Sequence, residues 1–203
     1  LGAVKHAAPN LSRVLVTSSL AAVGRCEQTV ATEDAPLRPV SRYGRSKAQM
    51  ETALTESHQM TESYAEALPI TVVRPPAVYG PRDRDILDFF RAVQRHVCPI
   101  VGGSSARSLS LVHARDLAAG MVDACRHPDA ANETYFLGSE QPYAWSDVKQ
   151  AATAALNTWA VSVPVPGPLL GLVGAASEAW GRLIGTHPPL NRDKAREIRH
   201  ACT

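Results

Sequence analysis

The sequence predicts an α/β fold in which parallel strands alternate with helices. Three observations predict it. Arg13-Val-Leu-Val-Thr17 is a short, nearly continuous apolar run, the pattern of a strand covered on both faces. Ile70-Thr-Val-Val-Arg74 is a β-branched run of the same kind. Between them, Tyr43 to about Ala67 is rich in Ala, Glu, Gln, Lys and Met, a helical composition. Strand, helix, strand in this order forms a βαβ unit with a right-handed crossover.

The remaining elements follow along the chain. Leu1 to Ala8 reads as the last turns of a helix closed by Pro9-Asn10, and the polar stretch Glu27 to Ser41, with Pro36 and Pro39, reads as a loop. Pro69 ends the long helix, and Pro75-Pro76 stops the second strand. Asp85 to His96 is expected to be helical and Leu109-Ser-Leu-Val112 a short strand. Asp116 to Arg126 is expected to be a helix with Asp116 in the capping position and His127-Pro128 as its stop. Glu133 to Leu137 reads as a strand, and Trp145 to Leu156 as a helix begun by Ser146-Asp147. Val163 to Pro168 reads as a stiff connector. From Leu169 to Ile184 a further helix would align Leu169, Leu172, Val173, Ala176, Trp180, Leu183 and Ile184 on one stripe.

Composition narrows the function classes. The 203 residues suffice for one domain with a core, and 45% hydrophobic with 20% charged residues is ordinary for a globular protein. A net charge of +2 leaves no electrostatic footprint for nucleic acid. Cys26, Cys98, Cys125 and Cys202 form no C-x-x-C pair and no His/Cys cluster, so no metal site is expected. They read as reduced thiols of a cytoplasmic protein, and no secretory leader pattern opens the chain. The apolar stretch Val161 to Ile184 is interrupted by Pro164, Pro166, Pro168, Glu178 and Arg182, so no transmembrane segment is expected.

Tyr43-Gly-Arg-Ser-Lys47 sets Tyr43 and Lys47 four apart at the head of a helix, on one face. A phenol alone is a poor acid or base near neutral pH, its pKa being about 10. A nearby ammonium favours the phenolate. Such a pair can take or give the proton of a carbinol hydroxyl; the alternative is a Tyr/Lys pair on a solvated helix face. Thr17-Ser18-Ser19 falls at the carboxyl end of the first strand, where ligands bind in open α/β sheets. A hydroxyl there can hydrogen-bond a substrate oxygen or simply form the turn. Arg74-Pro-Pro-Ala-Val-Tyr-Gly-Pro81 leaves the next strand at the same end.

Val14-Leu-Val-Thr-Ser-Ser19 with Gly24, Tyr43-x-x-x-Lys47, Arg74-Pro-x-x-Val-Tyr-Gly-Pro81 and Leu111-Val-His-Ala-Arg-Asp116, in this order, resemble the extended short-chain dehydrogenases/reductases. That family includes NAD-dependent sugar-nucleotide epimerases and dehydratases, dihydroflavonol reductases and 3β-hydroxysteroid dehydrogenases. The resemblance implies the later part of a Rossmann-like, doubly wound parallel sheet plus a small mixed α/β substrate-binding lobe. Residues 1–80 would be the second half of the dinucleotide-binding domain. Residues 81–203 would be mostly the substrate-binding lobe, with 108–137 returning to the sheet. It implies NAD or NADP as cofactor and a small-molecule substrate. Tyr43 would be the general acid/base, with Lys47 assisting it and holding the nicotinamide ribose. Ser19 would be the catalytic hydroxyl, with Ser18 the other claimant. Thr17, Ser18, Tyr43, Lys47 and the run Pro75, Pro76, Ala77, Val78 would contact the cofactor. Asp116 would cap its helix. A homodimer through the Tyr43 helix and the Asp85 to His96 helix is also implied.

The sequence departs from the family pattern in three ways. The glycine-rich turn that seats the pyrophosphate is missing, since Gly167-x-x-x-Gly171-x-x-Gly174 does not follow a strand. The expectation is therefore a partial chain that begins near the family's fifth strand and binds NAD(P)H negligibly by itself. Leu109 stands where sugar-nucleotide members carry a diphosphate-gripping Arg. Arg107 and Arg84 are the candidates to replace it, against the alternative of solvated loop arginines. Val23 stands where the family carries a Tyr before Gly24. With Leu109, it favours a reductase acting on a secondary alcohol or ketone, with a nucleotide-sugar epimerase or dehydratase as the alternative and a non-catalytic relative as the third. The stripe on 169–184 suits either a lid over an apolar substrate or core packing.

Overall fold

The computed structural model describes residues 11–24, 30–61, 69–101 and 108–165. In chain order these form β1 (Val14–Thr17), a 3-10 turn (Leu20–Ala22), α1 (Arg42–Thr61), β2 (Ile70–Val73) and β3 (Ala77–Tyr79). Then come α2 (Arg84–Gln94), β4 (Val97–Val101), β5 (Ser108–Leu109), β6 (Leu111–His113) and α3 (Ala114–Arg126). A second 3-10 turn (Pro128–Ala130), β7 (Thr134–Tyr135), β8 (Tyr143–Ala144), α4 (Trp145–Ala155) and β9 (Val161–Val165) complete them.

The expected βαβ unit forms. β1 and β2 pair in parallel from Val14↔Ile70 to Thr17↔Val73, and β7 extends the sheet on the far side of β2. The pairing explains the burial. β2 has a neighbour on each side and buries Ile70, Thr71 and Val73, whereas Val14, Leu15 and Val16 of β1 stay half-buried. Below β1, the Arg13 guanidinium donates to Thr71 Oγ1 at 3.2 Å and to the carbonyl of Ala124 at 3.1 Å. It thereby ties the carbonyl end of α3, where a cation is favoured, to the base of the sheet.

The second half is built from strand pairs: β3 with β6 and β4 with β9 in parallel, and β5 with β8 antiparallel. Its core is Val93, Cys98, Ala152 and Ala160, against which Phe89, Phe90 and Leu156 pack. Burial pushes the Cys98 thiol pKa up from its ordinary value, with nearby Lys149 offsetting part of the rise.

Several boundaries differ from expectation. The run Leu109 to Val112 splits at Ser110 into β5 and β6, which pair with different partners. α3 begins two residues before Asp116, and its cap is His113, whose Nδ1 accepts from Arg115 N at 3.3 Å; Asp116 sits in the first turn. The first half of the expected connector, Val163, Pro164 and Val165, belongs instead to strand β9. Proline fits there because, among the described residues, β9 pairs along one side, against β4. β4 itself was not expected, since Pro99 interrupts its apolar run. The expected helices at 1–8 and 169–184, the long helix's residues 62–68, and Arg107 lie outside the described residues. No helix among the described residues is long and apolar enough to cross a membrane.

Candidate active site at the ends of β1 and β2

The site is assembled where β1 ends. Thr17 is exposed, Ser18 is buried and Ser19 is half-buried. The chain leaves β1 held against β2: Ser18 N donates to the Val73 carbonyl at 2.7 Å, and Leu20 N to the Pro75 carbonyl at 3.0 Å. Ser19 takes an extended backbone and caps the 3-10 turn, its Oγ accepting from Ala21 N at 3.1 Å. A serine hydroxyl that accepts in this way keeps its hydrogen to donate to a ligand oxygen.

Loop residues return α1 to the same place. Buried Ser41 accepts from Gly44 N at 2.8 Å through its Oγ, a side-chain cap on the first turn. Gly44 is required by close approach: a Cβ there would lie 2.3 Å from the Ala21 carbonyl oxygen. The first turn of α1 therefore rests on the 3-10 turn that Ser19 caps. Gly24, at φ +69°, is the other glycine this corner needs, since a Cβ would meet the Arg38 carbonyl at 2.3 Å.

Tyr43 is thus presented at 48% exposure beside the end of β1. One turn on, Lys47 Nζ donates to the Thr17 carbonyl at 2.8 Å and lies 5.8 Å from the centre of the Tyr43 ring. Pro75 is buried at the end of β2, Pro76 is half-buried next to Gly138, and Ala77 and Val78 are exposed in β3. The structure therefore brings Thr17, Ser19, Tyr43, Lys47 and Pro75 to one corner. Ser18 differs from its neighbours, because its hydroxyl is turned inward and donates to the Glu51 carboxylate. Arg84 is exposed as the first residue of α2. Among the described residues, no group of His, Cys, Asp and Glu could hold a metal ion. Two cavities, of about 630 and 410 Å³, open beside α4 and are lined by none of the corner residues.

Glu51 escaped the sequence reading. It is buried, and accepts Arg74 Nη2 at 2.6 Å and Arg74 Nε at 3.1 Å, besides the Ser18 hydroxyl. Arg74 also donates from Nη1 to the Glu33 carbonyl at 3.0 Å and stands 5.5 Å from the centre of the Phe136 ring. The available signal was position, since Glu51 follows Lys47 by one more turn on the same face of α1.

The donor set suits the ribose of a nicotinamide nucleotide. An ammonium carries three donors, and Lys47 gives one to Thr17, so its other hydrogens can reach vicinal hydroxyls. The sequence model of the NAD dependent epimerase/dehydratase family matches residues 1–138. The chain belongs to that family. Its resemblance to extended short-chain dehydrogenases/reductases, read from the motifs, is borne out. A ceramide reductase of Caulobacter vibrioides is 30% identical over 130 residues, 64% of this chain and 40% of the relative. A UDP-glucose 4-epimerase of Vibrio cholerae is 26% identical over 152 residues, 73% of this chain and 45% of the relative. Among solved structures, the Bacillus cereus UDP-glucuronic acid 4-epimerase in complex with UDP-glucuronic acid and NAD superposes with a TM-score of 0.63 at 16% identity. That match covers 96% of this chain and 63% of the other. The dTDP-glucose 4,6-dehydratase DesIV from Streptomyces venezuelae, with NAD and TYD bound, gives a TM-score of 0.59 at 20% identity, covering 92% and 59%. These likenesses establish the Rossmann-like α/β fold. The chain spans less than half the length of the curated relatives named here.

Proposed function

We propose that this epimerase/dehydratase-family chain carries the proton-handling part of an NAD(P)-dependent oxidoreductase that interconverts a secondary alcohol and a ketone. The observation that carries the reading is the corner itself: Tyr43 and Lys47 on one helix face, with Lys47 anchored on the last carbonyl of β1 and Ser19 two residues on. Bound nicotinamide supplies or accepts the hydride. Tyr43 moves the hydroxyl proton. The Ser19 hydroxyl donates to the substrate oxygen and steadies charge that builds there. Lys47 holds the ribose and places positive charge beside the Tyr43 ring. Thr17 and the run Pro75, Pro76, Ala77 and Val78 line the nicotinamide. Residues 1–80 contribute to the dinucleotide-binding domain, and 108–137 return to it from the substrate lobe.

Two substrate classes follow from different relatives. A reductase acting on a lipid-like ketone is favoured by the ceramide reductase relative and by Leu109 at the position of a diphosphate-binding Arg. A nucleotide-sugar epimerase or dehydratase is the second reading, supported by the UDP-glucose 4-epimerase relative and by solved neighbours holding UDP-glucuronic acid. In that reading, Arg84 and Arg107 grip the diphosphate. The test uses the longest natural chain containing these residues. It is incubated with NADH or NADPH and a ketone analogue of ceramide, and separately with NAD plus UDP-glucose or UDP-glucuronic acid. Loss of cofactor absorbance matched by reduced ketone is the expected result. Conversion of the sugar without net cofactor consumption establishes the second reading instead. No conversion of any of these probes contradicts both.

A further inference from the structure

We propose that Glu51 is a positioning residue for the Tyr43–Lys47 pair, acting through Ser18 and Arg74; this rests on the reading of that pair as the proton-handling groups. Tyr43, Lys47 and Glu51 succeed one another by single turns along one face of α1. Tyr43 and Lys47 stand at the open corner, whereas Glu51 is only 5% exposed. Its carboxylate receives Ser18, from the exit of β1, and Arg74, from the exit of β2. One side chain therefore ties the helix to both strand ends.

The tie reaches the chemistry through Ser18. With its N–H on the Val73 carbonyl and its hydroxyl on Glu51, Ser18 is held from both sides. That fixes the residue before it, whose carbonyl receives Lys47, and the residue after it, Ser19. Stability alone is a poor account of so buried an ion pair. Desolvating two charges cancels much of their attraction, and apolar side chains of similar volume hold such places as well or better. What apolar side chains cannot do is orient a serine hydroxyl and the carbonyl beside it.

The double variant Glu51→Leu/Arg74→Met separates the two roles. In the longest natural chain containing these residues, its melting temperature is expected to stay within about 5 °C of the parent. Its kcat on the probe that the parent converts is expected to fall about 100-fold, with KM moving less than about threefold. Parental kcat at parental melting temperature overturns the proposal. Should the double variant fail to fold, Glu51→Asp decides. It keeps the charge opposite Arg74 but draws the carboxylate back from Ser18, so kcat is expected to fall about tenfold, and an unchanged kcat overturns the proposal. Should the parent convert none of the probes, the reading of Tyr43 and Lys47 fails separately. The crystal structure of whichever variant folds then decides the role of Glu51. Loss of the Lys47–Thr17 hydrogen bond supports it, and a retained bond at or under about 3.2 Å overturns it.

Discussion

β1 and β2 run side by side in register, yet their ends are opposites. Beyond β1 the chain shows its polar groups: Thr17 is exposed, and Ser19 is half-buried with its hydroxyl oxygen capping a turn. Beyond β2 the chain hides them: Arg74 is 6% exposed and fully engaged with Glu51, the Glu33 carbonyl and the Phe136 ring. Ser18 belongs to the first end by sequence and to the second by its contacts. On the proposed roles of Tyr43, Lys47 and Glu51, the end of β1 is open to a ligand while the end of β2, closed around charge, holds it in place. Polar groups that face a ligand must be left partly unpaired, and something else must hold them still.

The largest break in this arrangement is expected from removing one partner of the closed end. Glu51→Ala leaves Arg74 buried without its counter-charge and should cost about 3–5 kcal/mol, read as a lower denaturation midpoint at unchanged slope. Loosening the contact between the helix and the open end comes next. Gly44→Ala forces a Cβ onto the Ala21 carbonyl, so α1 must shift away from the 3-10 turn. Turnover should fall about 100-fold, while a Ser46→Ala control, on an exposed side chain of the same turn, leaves it unchanged.

The two serines sharpen the comparison further. Ser18→Ala removes a buried donor from the Glu51 carboxylate and should lower stability by about 1.5–3 kcal/mol. Ser19→Ala removes only a cap on a short turn, about 1 kcal/mol, but should lower kcat more than Ser18→Ala does. The reverse order of kcat losses would assign the catalytic hydroxyl to Ser18. The smallest effect concerns the two described free thiols. Exposed Cys125 should react with a thiol reagent in the folded protein, while buried Cys98 should react only on unfolding. The raised Cys98 pKa also carries a sign. The fold prefers the neutral thiol, so that part of the stability is complete below the unfolded thiol's pKa of about 8.5 and is lost as pH rises through the folded value.

The βαβ unit was legible because each of its parts is written locally. A continuous β-branched run admits few readings, and a helix rich in Ala, Glu and Lys admits fewer. β4 and β9 were not legible, because each carries a proline, Pro99 and Pro164, and strand signals assume its absence. The cap of α3 was misplaced for a related reason. An aspartate is the commoner cap, and nothing in the sequence shows that the His113 imidazole nitrogen faces the Arg115 amide. At the candidate site, the nearness of Tyr43 and Lys47 was legible from their spacing, and the position of Ser19 from its place after a strand. Glu51 was not, because a glutamate on a helix reads as solvated until its partner, Arg74, arrives from 23 residues away.

The proton-transfer role of Tyr43 is decided by the kcat of Tyr43→Phe at saturating cofactor and substrate, taken with its melting temperature. Tyr43 is half-exposed, so losing one hydroxyl should leave melting nearly unchanged. A kcat lower by about 1,000-fold is expected, the scale of a lost general acid/base. A kcat within about threefold of the parent would contradict it, and would place the proton transfer elsewhere in the protein.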